Sequence, residues 1–180
     1  MALKSTIAKA TLAVSDLDRG YYGTHALTVA RHPSENDERL MVRVLAFALN
    51  ADEALAFGRG LSTDDEPDLW RKDLTGVIEQ WIDVGLPDEK LLRRACGRAR
   101  EVIVYAYGGA RLQAWWAQNG AALARCENLT VFELAPADTA ALARLAARAM
   151  KIGCTIQEGH AWLSTDSETI EIAPRRLSVS

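Results

Sequence analysis

Two spacings of apolar side chains alternate along the chain. Between residues 3 and 14, Ile7, Leu12 and Val14 are set among Thr6, Lys9 and Thr11, and Asp16-Leu17-Asp18-Arg19-Gly20 then supplies turn residues. Tyr21 to Val29 resumes the β-rich pattern, so the sequence predicts an N-terminal antiparallel hairpin. From His32 the spacing changes. Ser34 is placed to cap a helix, with Asp37 three residues on reaching back as in a capping box. Leu40, Met41, Val44, Leu45, Phe47 and Ala48 follow at helical intervals.

Ala54 to Leu61 reads as a short strand, with Gly58 and Gly60 marking places where another backbone or a ligand approaches closely. Strict alternation along Val77 to Gly85 would put Glu79, Trp81, Asp83 and Gly85 on one sheet face, and Ile78, Gln80, Ile82 and Val84 on the other, taken as core. Pro87 at a first helical position opens a helix through Leu91, Leu92, Ala95, Cys96 and Ala99. Val102 to Tyr107 is a continuous apolar run, consistent with a buried parallel strand after a crossover helix. Gly108-Gly109 leads into a helix over Ala110 to Gln118. That pair reads as a turn, although glycines at such a junction can also present amides to a phosphate, here beside Arg111. Of Trp115 and Trp116, one is expected in the core and one at the surface. Leu129 to Leu134 is a further strand and Pro136 to Met150 an alanine-rich helix capped near Asp138 or Thr139. Thr155 to Ile172 breaks into short strands turning at Glu158-Gly159 and Asp166-Ser167, and Ala173 to Ser180 is expected to be poorly ordered. The predicted class is mixed α/β (α+β): a mixed β-sheet flanked by helices, with an N-terminal hairpin and short C-terminal strands.

Composition narrows this picture. A chain of 180 residues with 49% hydrophobic and 25% charged residues fits one domain over 1–180 of an ordinary soluble protein. No apolar run reaches bilayer-spanning length, and the first residues lack the order of a secretory signal, which makes the cytoplasm the expected location. The net charge of −3 argues against a broad basic surface that grips nucleic acid, leaving a local patch at Arg93, Arg94, Arg98 and Arg100 as the alternative. Cys96, Cys126 and Cys154 are far apart and read as reduced thiols, and His25, His32 and His160 are scattered rather than at ligand spacing.

Candidate chemistry concentrates between Asp64 and Lys90. Pro67-Asp68 opens an apolar pair and Asp83 lies near the end of a β-rich run, so two strands could bring two carboxylates to one sheet edge. Mg²⁺ takes one or two protein carboxylates and completes its shell with water and phosphate oxygens, the minimum for metal-assisted phosphodiester hydrolysis. With 24 Asp and Glu residues in the chain, carboxylate pairs are common and most are solvated surface, so the pair acquires meaning only with other support. Glu38, at the N-terminal end of the first helix's buried stripe, has two readings: an acid that stabilises the helix dipole, or one that joins a metal or substrate site.

Arg31-His32-Pro33-Ser34-Glu35, Glu38-Arg39, Asp65-Glu66-Pro67, Trp81-Ile82, Gly85-Leu86-Pro87-Asp88-Glu89, Trp115-Trp116 and Trp162-Leu163-Ser164 together resemble the bacterial YaeQ family across essentially the full chain. That family is similar to a variant of the PD-(D/E)XK nuclease fold. The resemblance therefore implies a restriction-endonuclease-like core with a leading helix, three antiparallel strands, a second helix and a further strand. Carried onto this chain, it puts the leading-helix acid at Glu38, the Pro-Asp pair at Pro67-Asp68 and the second acid at Asp83. Gly85 stands where the pattern has a lysine that orients the attacking water and offsets phosphate charge. Lys90 is the first candidate to replace it, followed by Arg94 and Lys72. An alternative register puts Glu79 and Trp81 at the acid and lysine positions.

The implied function is a Mg²⁺- or Mn²⁺-dependent nuclease-like phosphodiesterase, with Asp68 and Asp83 binding the metal, Glu38 assisting and Lys90 supporting the phosphate. The alternative is a catalytically inactive nuclease-fold protein that binds nucleic acid or a protein partner in gene expression. A third reading makes the acids a structural hydrogen-bond cluster.

Overall fold

The computed structural model describes residues 4–59 and 65–179. In chain order its elements are β1 (Thr6–Asp16), β2 (Tyr21–Arg31), α1 (Asp37–Leu49), β3 (Leu55–Phe57), β4 (Leu69–Lys72), β5 (Ile78–Val84), α2 (Glu89–Arg98), β6 (Ala99–Ala106), α3 (Ala110–Leu123), β7 (Leu129–Glu133), α4 (Pro136–Ala143), β8 (Ala149–Gln157), β9 (His160–Ser164), β10 (Thr169–Ile172) and β11 (Arg175–Arg176). The strands form two mixed sheets, ordered β10-β9-β8-β1-β2 and β11-β7-β6-β5-β4-β3. The described residues group into two compact units, one within Met1–Ala51 and Ala137–Ala173, the other within Asp52–Pro136 and Pro174–Ser180. The mixed α+β class, the opening hairpin and the short C-terminal strands are as the sequence leads one to expect, with the strands shared between two sheets.

In the first unit β1 and β2 form the predicted hairpin. Ala8, Ala10, Leu12 and Val14 point inward and the intervening residues outward, the period-two pattern of a half-buried strand. The turn is held by Asp16, whose carboxylate accepts from the Arg19 amide at 3.0 Å and from Arg19 Nε at 2.6 Å. α1 is capped by Asn36 rather than Ser34: Asn36 Oδ1 accepts from the Arg39 amide at 2.8 Å, while Ser34 Oγ turns back to His32 Nδ1 at 2.6 Å. Every residue from Leu40 to Ala48 is buried, including Arg43. Its guanidinium meets Glu35 Oε1 through Nη2 at 2.7 Å and Nε at 3.1 Å, and Nη2 also donates to the Ala30 carbonyl at 2.9 Å. The helix expected from Pro136 to Met150 ends at Ala143, because from Ala149 the chain joins β1 in a parallel ladder and buries Met150, Ile152, Cys154 and Ile156 on alternate positions. Ladder hydrogen bonds and burial outweigh the helical preference of alanine there. Glu158 and Gly159, both at positive φ, form the two-residue turn from β8 to β9.

In the second unit β5, β6 and β7 run parallel, with β4 antiparallel to β5 and β11 antiparallel to β7. Ile78, Trp81, Leu92, Val102, Val104, Leu112 and Leu123 belong to one core cluster, against which Trp115 and Trp116 both pack half-buried. The expected split of these two tryptophans into core and surface therefore does not occur. α2 starts two residues later than expected, at Glu89 instead of Pro87: Asp88 is its cap, accepting from the Lys90 and Leu91 amides, and Pro87 precedes it. The tail is ordered against β7. Leu177 N donates to the Val131 carbonyl at 2.8 Å, and Arg175 pairs with Glu133 at 2.6 Å. β3 is shorter than the strand expected over Ala54 to Leu61, whose Gly60 and Leu61 lie outside the described residues.

Candidate active site

The antiparallel ladder of β4 and β5 sets Leu69 opposite Ile82, so the next rung outward places Asp68 opposite Asp83. The two aspartates interlock through the main chain. The Asp68 amide donates to Asp83 Oδ1 at 3.1 Å, and the Val84 amide donates to Asp68 Oδ2 at 2.9 Å. Asp68 is buried and Asp83 half-buried. Gly58, the residue after β3, supports this edge. Its amide donates to the Asp68 carbonyl at 2.9 Å, and a Cβ at position 58 would lie 2.0 Å from the Pro67 carbonyl oxygen. The close approach expected at Gly58 is thus an approach to the Pro-Asp pair itself.

Asp83 is fixed from a third direction by Trp81, whose indole Nε1 donates to Asp83 Oδ2 at 2.9 Å. Trp81 stands edge-on to its cross-strand partner Trp70, with ring centroids 6.1 Å apart. Lys72 Nζ lies 3.7 Å from the Trp70 ring centroid and the Arg98 guanidinium 5.1 Å from that of Trp81. Arg98 Nη1 also donates to the Asp65 carbonyl at 3.1 Å. Lys72 and Arg98 therefore stand on the tryptophans that flank the acids. One part of this was accessible from sequence, since residues i and i+2 of a strand share a face, which pairs Trp81 with Asp83. The Arg98 contact depends on how α2 packs and has no local signal.

Strict alternation fails at the start of β5. The register slips by one residue at Arg71/Lys72, so Ile78 to Gln80 oppose only two residues of β4. Ile78 consequently joins the core cluster of Trp81 rather than the face of Ile82. Glu79, the acid of the alternative register, sits in this irregular stretch and pairs with Arg100 at 3.4 Å. Past the bulge, Gln80, Ile82 and Val84 are buried as expected.

Of the other sequence-derived candidates, Lys90 is exposed in the first turn of α2, its amide bound to Asp88 Oδ1 at 2.8 Å, and Arg94 is exposed one turn on. Glu38 is half-buried in the first turn of α1, in the unit that does not contain Asp68 and Asp83. Gly85 has φ +93, a conformation that a lysine rarely adopts, and its amide donates to the Tyr105 carbonyl at 2.9 Å. Gly108-Gly109 forms the turn into α3 and supplies no side-chain cap.

Among the described residues no group of three or more His, Cys, Asp or Glu side chains is placed to hold a metal ion. The two aspartates fit a hard divalent cation as a donor set. They are paired carboxylates, each oriented by a donor of the protein, and such a cation needs only one or two of them when water and phosphate supply the rest.

No helix among the described residues is long and apolar enough to cross a membrane. The chain is 46% identical over 173 residues to the uncharacterized protein YaeQ of Escherichia coli (strain K12), a match covering 96% of this chain and 95% of that one. It is 47% identical over the same length to its namesake in Salmonella typhi. The crystal structure of YaeQ protein from Xanthomonas axonopodis pv. citri superposes with a TM-score of 0.94 at 49% identity, covering 98% of this chain and all 100% of that one. For YaeQ protein from Pseudomonas syringae the TM-score is 0.92 at 37% identity, with 98% and 97% covered. A family model described as YaeQ protein matches residues 1–174, and with relatives this similar over nearly their whole length, the chain belongs to the YaeQ family.

Proposed function

We propose that this protein is a Mg²⁺- or Mn²⁺-dependent phosphodiesterase of nuclease type, acting in the cytoplasm, with Asp68 and Asp83 as the metal-holding residues. The observation that carries the proposal is the interlocked pair at the end of two adjacent antiparallel strands. The Asp68 amide, the Val84 amide and the Trp81 indole set both carboxylates before any ligand arrives, so little ordering remains to oppose binding. When bound, the cation supplies Lewis-acid polarisation of a phosphoryl oxygen and a water of lowered pKa. Lys90, exposed at the start of α2, is assigned to the substrate phosphate. Three free cysteines are in keeping with a reducing compartment.

A second reading is favoured by Gly85. Its positive φ suits glycine at the position where the nuclease pattern has lysine, which supports a scaffold without catalysis that binds nucleic acid or a protein partner in gene expression. Titration calorimetry with Mg²⁺ and Mn²⁺, together with cleavage assays on a panel of DNA and RNA, separates the two. The enzyme reading expects metal binding and cleavage that both disappear in Asp68→Asn and Asp83→Asn, with cleavage reduced in Lys90→Ala. Absence of metal binding in the folded wild-type protein would overturn it, and binding of nucleic acid without cleavage would establish the second.

A further inference from the structure

The two sheets leave β2, β10, β3 and β11 at their edges. An edge strand presents main-chain amides and carbonyls with which another extended chain can pair, and folded proteins guard such edges by shortness, charge or bulges. Three of these strands are guarded in that way: β3 has three residues, β11 is two exposed arginines, and β10 has four residues, with Glu171 tied to His160 at 2.6 Å. β2 is not. It runs for 11 residues, pairs with β1 without a bulge, and contains no proline, lysine or acid, only Arg31 at its end. Tyr22, Thr24, Ala26, Thr28 and Ala30 are exposed along it, Tyr22 to 65%.

The ladder fixes which main-chain groups of β2 face outward. Lys9 N donates to the Arg148 carbonyl at 2.7 Å, so the odd-numbered residues of β1 direct their amides and carbonyls to β8 and the even-numbered ones to β2. Asp16, Val14, Leu12 and Ala10 stand opposite Tyr21, Gly23, His25 and Leu27. The odd-numbered residues of β2 are therefore bonded to β1, and the even-numbered ones point their amides and carbonyls away from the sheet. The Ala30 carbonyl agrees with this parity, because Arg43 Nη2 reaches it at 2.9 Å, and that contact ends the open stretch. What is left is Tyr22, Thr24, Ala26 and Thr28, whose outward main-chain groups meet no strand among the described residues.

We propose that β2 is a homodimer interface, in which two copies of this chain pair antiparallel, edge to edge, about a two-fold axis at His25 and join their five-stranded sheets into one. A second copy is the occupant because the open stretch is complementary to itself. This axis sets Tyr22 opposite Thr28 and Thr24 opposite Ala26 of the second copy, which engages every outward residue and leaves Ala30 to Arg43. Moving the axis to Thr24 would set Thr28 opposite Gly20 in the turn, and moving it to Ala26 would set Tyr22 opposite Ala30, whose carbonyl is taken. Charge permits the pairing. The stretch from Tyr22 to Thr28 has no acid, lysine or arginine, and the arginines beyond its ends are paired within their own chain, Arg19 with Asp16 at 2.6 Å and Arg31 with Asp37 at 2.7 Å. His25, on the axis, is turned into its own unit, bonded to Tyr21 Oη at 2.7 Å and edge-on to Phe47. On the exposed face, Tyr22 gains Thr28 of the second copy as a cross-strand neighbour.

Sedimentation equilibrium of the full chain, carried up to about 100 μM, with amide hydrogen exchange followed residue by residue in the same samples, tests this. The expected result is reversible association from 19.7 kDa to twice that mass. The amides of Tyr22, Thr24, Ala26 and Thr28 should gain protection as concentration rises, whereas those of Gly23 and His25, bonded to β1, are protected throughout. Ala26→Pro removes an amide that β1 does not use, so the hairpin keeps its ladder, while each dimer loses two donors and its dissociation constant should rise about 100-fold. Thr24→Lys, which leaves the main chain intact, puts two lysines diagonally across the axis and should weaken the dimer about ten-fold. The proposal is overturned if the wild-type chain stays at 19.7 kDa throughout, if it associates with the outward amides still exchanging freely, or if either variant, folded by circular dichroism, dimerises like wild type.

Discussion

At the scale of single residues, burial decides more than charge or type. Glu35 belongs to a segment that reads as a helix start, yet it is an almost fully buried carboxylate whose partner is the equally buried Arg43. Replacing Arg43 by Met would leave Glu35 facing the half-buried Arg39 at 3.4 Å. The expected loss is about 3 to 5 kcal/mol in urea unfolding, since an unpaired buried charge costs far more than its pair contributes. A loss below about 1 kcal/mol would show that Arg39 replaces it. Cys154 gives a pH prediction. Burial first, then the Asp16 carboxylate, push its thiol from 9.0 up to about 12. A group raised on folding contributes stability that is complete below its unfolded pKa and is lost as pH rises through the folded one. The contribution of Cys154 is therefore complete below pH 9 and declines from there towards pH 12. Cys154→Ala should flatten the alkaline fall in stability relative to wild type, and parallel curves would refute the assignment. At Gly58, substitution by Ala requires the Pro67 carbonyl to move, so it should lower both stability and the metal affinity proposed for Asp68, measured by melting and calorimetry.

At the scale of elements, periodicity located most helices and strands, and their ends depended on which side chain reached a free amide. Ser34 and Asn36 are both good caps by type, but Ser34 is drawn back to His32, leaving Asn36 for the Arg39 amide. Asn36→Ala should cost about 1 kcal/mol and Ser34→Ala clearly less in chemical unfolding. Equal costs would contradict the capping assignment. The turn joining β4 to β5 shows the same local logic. Asp73 accepts from Thr75 Oγ1 at 2.6 Å and from the amides of Thr75 and Val77, and the Thr75 hydroxyl leads in holding its carboxyl below the usual range. Where local and tertiary preferences conflict, the tertiary one prevails. The expected helix leaves its course after Ala143 and, past a turn over 144–148, joins β1 as a strand from Ala149, and the bulge at Arg71/Lys72 moves Ile78 to the face of Trp81.

At the scale of the whole molecule, neither unit is a continuous segment. The first sheet needs β8 from the C-terminal part beside β1, and the second receives β11 from residues beyond Ala173. Deleting Pro174–Ser180 removes the Arg175–Glu133 pair and the Leu177–Val131 hydrogen bond. Amide exchange along β7 should then quicken, and unchanged protection there would show that the tail adds nothing to the sheet.

Much of this protein could be read from its residues alone: the hairpin, the parallel β5–α2–β6 crossover, the Glu158-Gly159 turn, the family, and the placing of Asp68 and Asp83 at one edge of two strands. These depend on side-chain period, turn chemistry and motif, which act over a few residues. Tertiary structure decided the two-sheet partition, the burial of the Glu35–Arg43 pair and the cation–tryptophan contacts around Asp83. Each of these joins groups that no local rule relates, and their free energy comes from desolvation and hydrogen bonds that exist only once the strands and helices have packed.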